Sequence, residues 1–477
     1  MMAVARIMGL LSPFTTEAWN MTITRELVKF CNTVDYERLP AETIDRCKYL
    51  LLDFLGIAIR GQQMDSTRTT LSFAMADGCA GNSAVIGARH RLNPAYAALV
   101  NGVAAHSLEL DDVVNEASLH PGTVIFPAVL ALAPEVKASG KDVIIAAVVG
   151  YEAMVKIGKA LNPALHYKRG FHPTGTCGVF GAAVAAARLL HLDEQQMLNA
   201  VGIAGSQASG SMEFLADGAW TKRFHAGWSA HNGIIAARLA EQGFRGPSAI
   251  LEGENGFLRA YSDQTEPMKA ISALGEPFEV MRTSIKPHAC CRYMQSPIDG
   301  VLQIVRDNGL RAADIVRIAI GLLSAGYGIV AIPRELKYNV KSMVDAQFSM
   351  PYGAAIAVIK GRAFLEELFE ENMSLPELAG LMNRVECSRD PELDKFYPRQ
   401  WPAWVKIESS EGRTYSAKVM YPKGDPENPL SWDEVIEKFK NLTKPVLAGH
   451  EQDRIVEFVK VMENEADVSH LLELCSS

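Results

Sequence analysis

Apolar residues recur at helical spacing through the first 275 residues of the chain. The segment AETIDRCKYLLLDFLGIAIRG has apolar positions three and four residues apart and ends on Gly61, which is typical of an amphipathic helix that becomes buried. Later segments are rich in Ala and Gly, for example PAYAALVNGVAAHSLEL, KDVIIAAVVGYEAMVKIGKAL and WSAHNGIIAARLAEQGF. Because small side chains let helix axes approach closely, we expect a compact all-helical domain over residues 22–275, with Thr22 capping its first helix.

The pattern changes after residue 275. In RAADIVRIAIGLLSAG the apolar residues Val316, Ile318, Ile320 and Leu322 alternate at period two, which predicts a strand. The segment WPAWVKIESSEGRTYSAKVMYP predicts a hairpin that turns at Ser-Glu-Gly, and DAQFSMPYGAAIAVIKGR between the two predicts a helix. We therefore expect a smaller α+β domain over residues 276–424.

The two ends of the chain are interpreted separately. After the Pro-rich connector KGDPENPLS, Ser431 and Glu434 form a capping box at the start of a helix. The last segment, 425–477, is helical in pattern and is expected to return to the first domain, whereas residues 1–21 are expected to be an N-terminal extension. The predicted fold class is mainly α with a second α+β domain, and a cleft at the seam between the two domains is the expected ligand site.

Composition narrows the class of partner. The chain has 48% hydrophobic and 21% charged residues and a formal net charge of -8. A negative net charge gives no general electrostatic attraction to nucleic acid or to an anionic membrane. No segment approaches the roughly 18 uninterrupted apolar residues of a membrane span. The eight cysteines form no C-x-x-C pair, which favours reduced thiols and a cytoplasmic location. An anionic ligand would have to be held by a local cluster of cations.

Charge is concentrated in ELDDVVNEASLHPG, which begins at Glu109 and contains four carboxylates and His120. An acidic, solvated loop is one interpretation. However, Asp111 and Asp112 follow the predicted end of a helix, where the helix dipole disfavours negative charge, so positive groups are expected nearby. His120 precedes a proline, which restricts its backbone to an extended or turn conformation and suits a fixed imidazole.

Further ionisable residues lie in other glycine-rich or apolar segments. His172 also precedes a proline, and Lys222 and Arg223 lie among glycines and aromatic residues. Lys286 is followed by a second cationic group that contains Arg292, in SIKPHACCRY. Each has an ordinary alternative: a loop histidine, a cation whose stem packs on apolar surface, or small buried cysteines.

The motifs of common cofactors and metals are missing from the sequence. It contains no H-E-x-x-H or C-x-x-C, no cysteine pattern for an iron–sulfur cluster, no G-x-G-x-x-G after a strand, no phosphate-binding P-loop and no G-x-S-x-G. The simplest enzyme hypothesis is therefore an active site without a cofactor or metal.

Several of these segments together resemble the MmgE/PrpD family. The matching stretches, in chain order, are HSLELDD with LHPG, RGFHPTGTCGVFGAAVAAARLLHL, HNGIIAARLAEQGFRGPSAILEGENGF, IKPHACCRY and DAQFSMPYGAAIAV. The family includes 2-methylcitrate dehydratases, cis-aconitate decarboxylases and iminodisuccinate epimerases. The resemblance implies a large helical domain, a smaller α+β lid, a homodimer, and metal-independent chemistry on a small polycarboxylate.

The resemblance also implies site residues. Those it implies to be catalytic are Glu109, His120, His172, Lys222, Lys286 and Tyr327. The mechanism adds Asp111 and Asp112 to the expected catalytic residues, as groups that orient an imidazole or a lysine, and it adds Arg223 and Arg292 to Lys222 and Lys286 as the expected binding residues for substrate carboxylates. The preferred function is a cofactor-independent hydro-lyase or carboxy-lyase, in which the two histidines are acid and base in an order left open. The alternatives are an epimerase of an amino- or iminodicarboxylate and a binding protein that retains the pocket.

Overall fold

The computed structural model describes residues 22–77, 79–216 and 218–476. It is mainly helical and has a small mixed four-stranded sheet in its C-terminal part, so the predicted fold class is confirmed. The predicted N-terminal extension, residues 1–21, lies outside the described residues, and the domain boundaries stay predictions. Within the described part of the chain, no helix has the length and apolarity needed to cross a membrane.

Helices α1–α11 form the first part of the molecule. They are α1 (Ile23–Thr33), α2 (Ala41–Gly61), α3 (Asp65–Ala76), α4 (Pro94–Ala105), α5 (Gly122–Val136), α6 (Gly140–Ala160), α7 (Pro163–Lys168), α8 (Pro173–Leu189), α9 (Glu194–Gly205), α10 (Thr221–Glu241) and α11 (Phe257–Tyr261). Thr22 caps α1 by accepting from the backbone N–H of Arg25, as the sequence predicted. The end of α2 at Gly61 also agrees with the prediction.

The centre of this helical part is α8, which packs against α5, α6, α9 and α10, while α10 also crosses α4. The α4–α10 crossing depends on glycine, since a Cβ added to Gly102 would lie 2.6 Å from the Cα of Gly227. The Ala- and Gly-rich segments therefore bring the backbones of neighbouring helices into close approach, as their composition indicated.

One segment of this region is a strand pair and not a helix, which corrects the all-helical prediction. Strands β1 (Ala80–Ala84) and β2 (Arg91–Leu92) pair in an antiparallel arrangement. Gly, Asn and Ser are weak helix formers, and Asn101 on α4 bonds the hairpin backbone at Ala84 and Ile86. These tertiary hydrogen bonds hold the short segment extended.

The C-terminal sheet has the strand order β4-β3-β5-β6 and contains β3 (Ile315–Leu322), β4 (Val385–Arg389), β5 (Ala403–Ser409) and β6 (Thr414–Val419). β3 is parallel to β4 and antiparallel to β5, and β5–β6 is the predicted hairpin. The prediction that Val316 shares a face with Ile318 is wrong. The pairing with β5 shifts register between Ile315 and Arg317, so Ile315 is buried and Val316 is 54% exposed.

The sheet packs with short helices, which are α12 (Gln295–Asn308), α13 (Ser324–Val330), α14 (Arg334–Lys337), α15 (Met343–Gln347), α16 (Met350–Lys360), α17 (Glu370–Met373), α18 (Leu378–Met382) and α19 (Pro391–Asp394). The single helix predicted for DAQFSMPYGAAIAVIKGR is two helices, α15 and α16. The break occurs because Ser349 caps α16 by accepting from the backbone N–H of Tyr352.

The chain ends with α20 (Trp432–Thr443), α21 (Gly449–Lys460) and α22 (Ser469–Leu474). The predicted capping box of Ser431 and Glu434 opens α20. Helix α20 packs along α2, and its Lys438 forms a buried ion pair of 2.6 Å with Asp53. The C-terminal helices thus lie against the first part of the molecule, close to the segment that begins at Glu109.

Candidate active site

A cavity of about 420 Å³ lies where the helical part meets the α+β part. The helical part contributes Glu109, His120, His172 and Lys222 to its lining, and the α+β part contributes Cys291, Arg292, Tyr293, Phe348, Tyr397 and Trp401. Four of the predicted catalytic residues, separated by up to 113 positions in sequence, therefore line one cavity.

The backbone at Glu109 is strained. Its φ of 55° is in the left-handed region, which a non-glycine residue adopts at a cost. Two buried ammonium groups hold this peptide segment: Lys286 Nζ donates to the carbonyl oxygen of Glu109 at 3.1 Å, and Lys438 Nζ donates to that of Leu110 at 2.9 Å. These hydrogen bonds hold the strained backbone in place at the residue that carries the Glu109 carboxylate.

The carboxylate of Glu109 pairs with Lys222, whose Nζ donates to Oε1. Lys286 lies 3.8 Å from the other carboxylate oxygen. Burial opposes ionisation, but Lys222 and Lys286 outweigh it and lower the pKa of Glu109 to about 2. Glu109 is therefore an anion that orients Lys222.

Asp111 joins two imidazoles. Its Oδ2 accepts from Nδ1 of His106 at 2.9 Å and lies 2.9 Å from Nδ1 of His120, while Lys286 lies 3.7 Å from Oδ1. Although burial favours the neutral acid, Lys286 and the two histidines hold the pKa of Asp111 well below its usual range. Lys286 is a positive partner of the kind that the helix-end argument required.

His120 has a defined tautomer. Its Nδ1 lies 2.7 Å from the carbonyl oxygen of Asp112, and because a carbonyl can only accept, Nδ1 carries the proton. Burial lowers the pKa of His120 to about 4, despite the opposing effect of Asp111. The neutral ring therefore has its lone pair on Nε2, the nitrogen left available to a molecule in the cavity.

His172 is paired with a histidine that the sequence analysis did not select. Its Nδ1 lies 3.2 Å from Nδ1 of His225, so the two rings share one proton at this contact. Burial, reinforced by His225, holds the pKa of His172 well below its usual value. The signal for His225 was its position three residues after Lys222, which places both on the same face of α10.

The α+β wall supplies Arg292. Its Nε donates to Asn115 Oδ1 at 2.9 Å, its guanidinium pairs with the buried Asp425, and its Cζ lies 5.8 Å from the ring centroid of Trp401. Guanidinium has five N–H donors, so these contacts leave donors for a ligand. Asp425 also accepts from Ser284 Oγ at 2.5 Å, which ties this wall to the helical part.

Five predicted residues do not line the cavity, and four of these, Asp111, Asp112, Lys286 and Arg223, lie behind it. Lys286 is 1% exposed and contacts Glu109 and Asp111, as described above. Asp112 accepts from Tyr151 Oη at 2.7 Å and from the backbone of Gly122 at 2.9 Å. Arg223 is also buried. These side chains lie behind the groups that line the cavity.

Arg223 donates to Ser66 Oγ at 3.2 Å and does not line the cavity. Tyr327 is also outside the lining, and Arg389 lies 5.8 Å from its ring. Ala325 and Ile329, four residues apart on α13, do face the cavity, so Tyr327 is turned away by the phase of its helix. The structure does not bring Arg223 and Tyr327 to the site that was predicted for them.

His106 and the aromatic lining were also missed. His106 is fully buried, its Nε2 has no hydrogen-bond partner among the described residues, and its ring stacks on His172 with centroids 5.8 Å apart. Cys291 lines the cavity, but burial raises the pKa of its thiol, which argues against a nucleophilic thiolate. The arrangement combines a neutral imidazole lone pair with flanking cations, which suits proton transfer beside a carboxylate.

Comparison with known proteins adds a family to this geometry. Residues 25–269 match the MmgE/PrpD N-terminal domain, and residues 288–464 match the MmgE/PrpD C-terminal domain. The cis-aconitate decarboxylase of Aspergillus terreus is 28% identical over 95% of both chains. The cis-aconitate decarboxylase-like protein oryM of Aspergillus oryzae is 29% identical over 95% of this chain and 97% of its own, and human cis-aconitate decarboxylase is 26% identical over 95% and 94%.

Proposed function

Because the chain belongs to the MmgE/PrpD family, we propose that it is a lyase that removes carbon dioxide or water from a small polycarboxylate. The observation that carries this proposal is the fixed tautomer of His120, with Nδ1–H held by Asp112 and Nε2 free towards the cavity. The similarity to cis-aconitate decarboxylases supports an unsaturated tricarboxylate as the first substrate to test.

The substrate carboxylates bind to Lys222 and Arg292. An ammonium group has three N–H donors, so Lys222 retains donors after pairing with Glu109. Arg292 faces the same cavity from the other wall and gives a second cation. These fixed charges stabilise an enediolate-like anion more strongly than the bound substrate, and this differential stabilisation lowers the barrier.

For dehydration, Nε2 of His120 takes a proton from the carbon next to a carboxylate, and the C–O bond breaks as the hydroxyl leaves as water. The proton for this hydroxyl comes from the His172–His225 pair, which takes it up from solvent when the polyanion binds. For decarboxylation, the C–C bond to a carboxylate breaks and its electron pair moves through the double bond to the carbon next to another carboxylate. That carbon then takes one proton. The bound polyanion raises the proton affinity of His120, which delivers the proton from Nε2.

The test is a panel of cis-aconitate, citrate, 2-methylcitrate and iminodisuccinate, incubated with the full chain without added metal and analysed by mass spectrometry. A lyase releases carbon dioxide or water from one of the first three. An epimerase instead incorporates deuterium from heavy water into recovered substrate, without loss of either molecule. If none of the four compounds reacts and citrate-like ligands still raise the melting temperature, the lyase proposal is wrong and a binding protein is favoured.

We also propose a homodimer, which the exposed face of α10 supports. Phe224, Ile235 and Leu239 are 40%, 37% and 38% exposed on this helix and lie with Trp228 at helical spacing. Since the same helix carries Lys222 and His225, dimerisation would also fix the active-site end of α10. Light scattering of the full chain at two concentrations tests this, and Ile235→Asp is expected to give a monomer.

A further inference from the structure

The cavity is larger and more apolar than an unsubstituted tricarboxylate requires. Its volume of about 420 Å³ falls in the range of about 300–1,000 Å³ that is typical of sites for drug-sized ligands. Outside its charged residues, the lining is mainly aromatic and aliphatic. A ligand made only of carboxylates on a short carbon chain leaves most of this lining without a partner.

The outer part of the cavity is mainly apolar. Glu109 and His172 are 4% and 2% exposed, so they lie at the inner end, together with apolar residues such as Val113 and Trp401. Leu215 is 44% exposed and lies with Met212, Ala325 and Ile329 in the lining, so these residues form the mouth. We call these four residues the apolar mouth.

The mouth is poor in charged groups. Among the described residues that line the cavity, Lys168 is the one charged side chain outside the inner cluster of Glu109, Lys222 and Arg292. A polar extension of the substrate, such as a nucleotide, would need several donors or cations along this path. A hydrocarbon chain needs none, and its burial against apolar side chains is favourable.

We propose that the substrate is a polycarboxylate that carries an alkyl chain of several carbons, with the carboxylates at the inner end and the chain along the apolar mouth. This inference rests on the proposed function for the inner end of the cavity. The head group is recognised by Lys222 and Arg292, and the length of the chain is recognised by the mouth. Methyl-sized substituents fill only the beginning of this path.

The experiment measures binding of 2-methyl-, 2-butyl- and 2-hexylsuccinate to the full chain by titration calorimetry. The burial of each methylene is expected to lower Kd about three- to fourfold. A Kd that stays constant or rises with chain length overturns the inference. Turnover of cis-aconitate and of a hexyl-substituted cis-aconitate is measured in parallel. A chain-length effect with turnover of neither compound counts against the lyase proposal alone, and turnover of cis-aconitate without a chain-length effect counts against this inference alone.

A pair of variants tests where the alkyl chain of the ligand lies. Ala325→Trp narrows the mouth and is expected to reduce the ratio of the methyl to the hexyl Kd at least tenfold. The matched control is Ala379→Trp, because Ala379 is likewise exposed on a short helix of the α+β part but does not line the cavity. If Ala325→Trp retains the wild-type ratio of the methyl to the hexyl Kd, the alkyl chain does not lie along the apolar mouth and the inference fails.

Discussion

The two walls of the cavity are built from different chemistry. The helical wall presents Glu109, His120, His172 and Lys222, each held by a charged or ring partner that is itself buried. The α+β wall presents one cation, Arg292, among aromatic rings such as Trp401. We propose accordingly that the helical wall carries out proton transfer, and that the α+β wall recognises the shape and one charge of the substrate.

The construction of each wall agrees with this division. The reactive groups stand on the strained segment after α4 and at the beginnings of α8 and α10, and α4 and α10 cross in close backbone contact at Gly102 and Gly227. Positions fixed in this way suit groups that must be held to a fraction of an ångström. The α+β wall is assembled from short segments around Arg292, Phe348 and Trp401, which suits variation in substrate shape.

The strongest test of this comparison is His120→Ala. Removal of the imidazole that is proposed to transfer the proton is expected to lower kcat about 10²- to 10⁴-fold, with little effect on the melting temperature. The control is His288→Ala, since His288 is also a buried histidine, bonded to Asp299 at 2.8 Å, but lies outside the cavity. Equal losses in the two variants would remove the catalytic role from His120.

Lys222→Met is expected to have the next largest effect. It removes the cation that faces the developing negative charge and should lower kcat/KM about 10²-fold. Lys168→Met is the matched control, because Lys168 lines the same cavity but is exposed at the mouth. We expect a less than tenfold loss there. Similar losses for both lysines would mean that general electrostatic attraction, and not the position of Lys222, controls the reaction.

Arg292→Lys tests the α+β wall. A lysine keeps the charge but loses the planar set of donors that reaches Asn115, Asp425 and a substrate carboxylate together. We expect KM to rise about tenfold while kcat changes by less than threefold, because this wall binds but does not transfer protons. Arg223→Lys, outside the cavity, should change neither constant more than twofold. A large loss of kcat in Arg292→Lys would break the division between the walls.

Much of the fold could be predicted because its signals are local. The spacing that ends α2 at Gly61, the capping box at Ser431 and the β5–β6 hairpin each depend on a few neighbouring residues. Val316 was assigned to the wrong face because a register shift between strands depends on the partner strand. The β1–β2 pair was missed because the strands are short and the segment is also held by hydrogen bonds from Asn101, on a later helix.

The site could be predicted only in its residue types. The rule for charge at helix ends correctly required cations near Asp111, but it could not show that His106 is one of the partners. The family resemblance pointed to Tyr327, whereas the phase of α13 turns Ala325 and Ile329 to the cavity. Which of several cations faces a ligand is decided by tertiary packing, as the burial of Lys286 shows.

Asp112→Asn is expected to have the smallest effect on activity. It distinguishes the roles of the two adjacent aspartates, Asp111 and Asp112. Burial raises the pKa of Asp112 to about 7, whereas Lys286 and the histidines hold the pKa of Asp111 low. Since Asp112 binds its proton more tightly when folded than when unfolded, wild-type stability should fall as pH rises from about 4 to 7. Asparagine does not titrate and keeps an acceptor for the backbone of Gly122. Urea unfolding should therefore show Asp112→Asn to be about 2–4 kcal/mol more stable than wild type at pH 8 and nearly equal at pH 4, with activity within threefold.

Asp111→Asn is the control and should change the free energy of unfolding in the opposite direction. Because the Asp111 carboxylate contributes stability above pH 4, this variant should be less stable than wild type at pH 8. Loss of stability in both variants at pH 8 would show that Asp112 is an ionised partner of the site and not a neutral acid behind it.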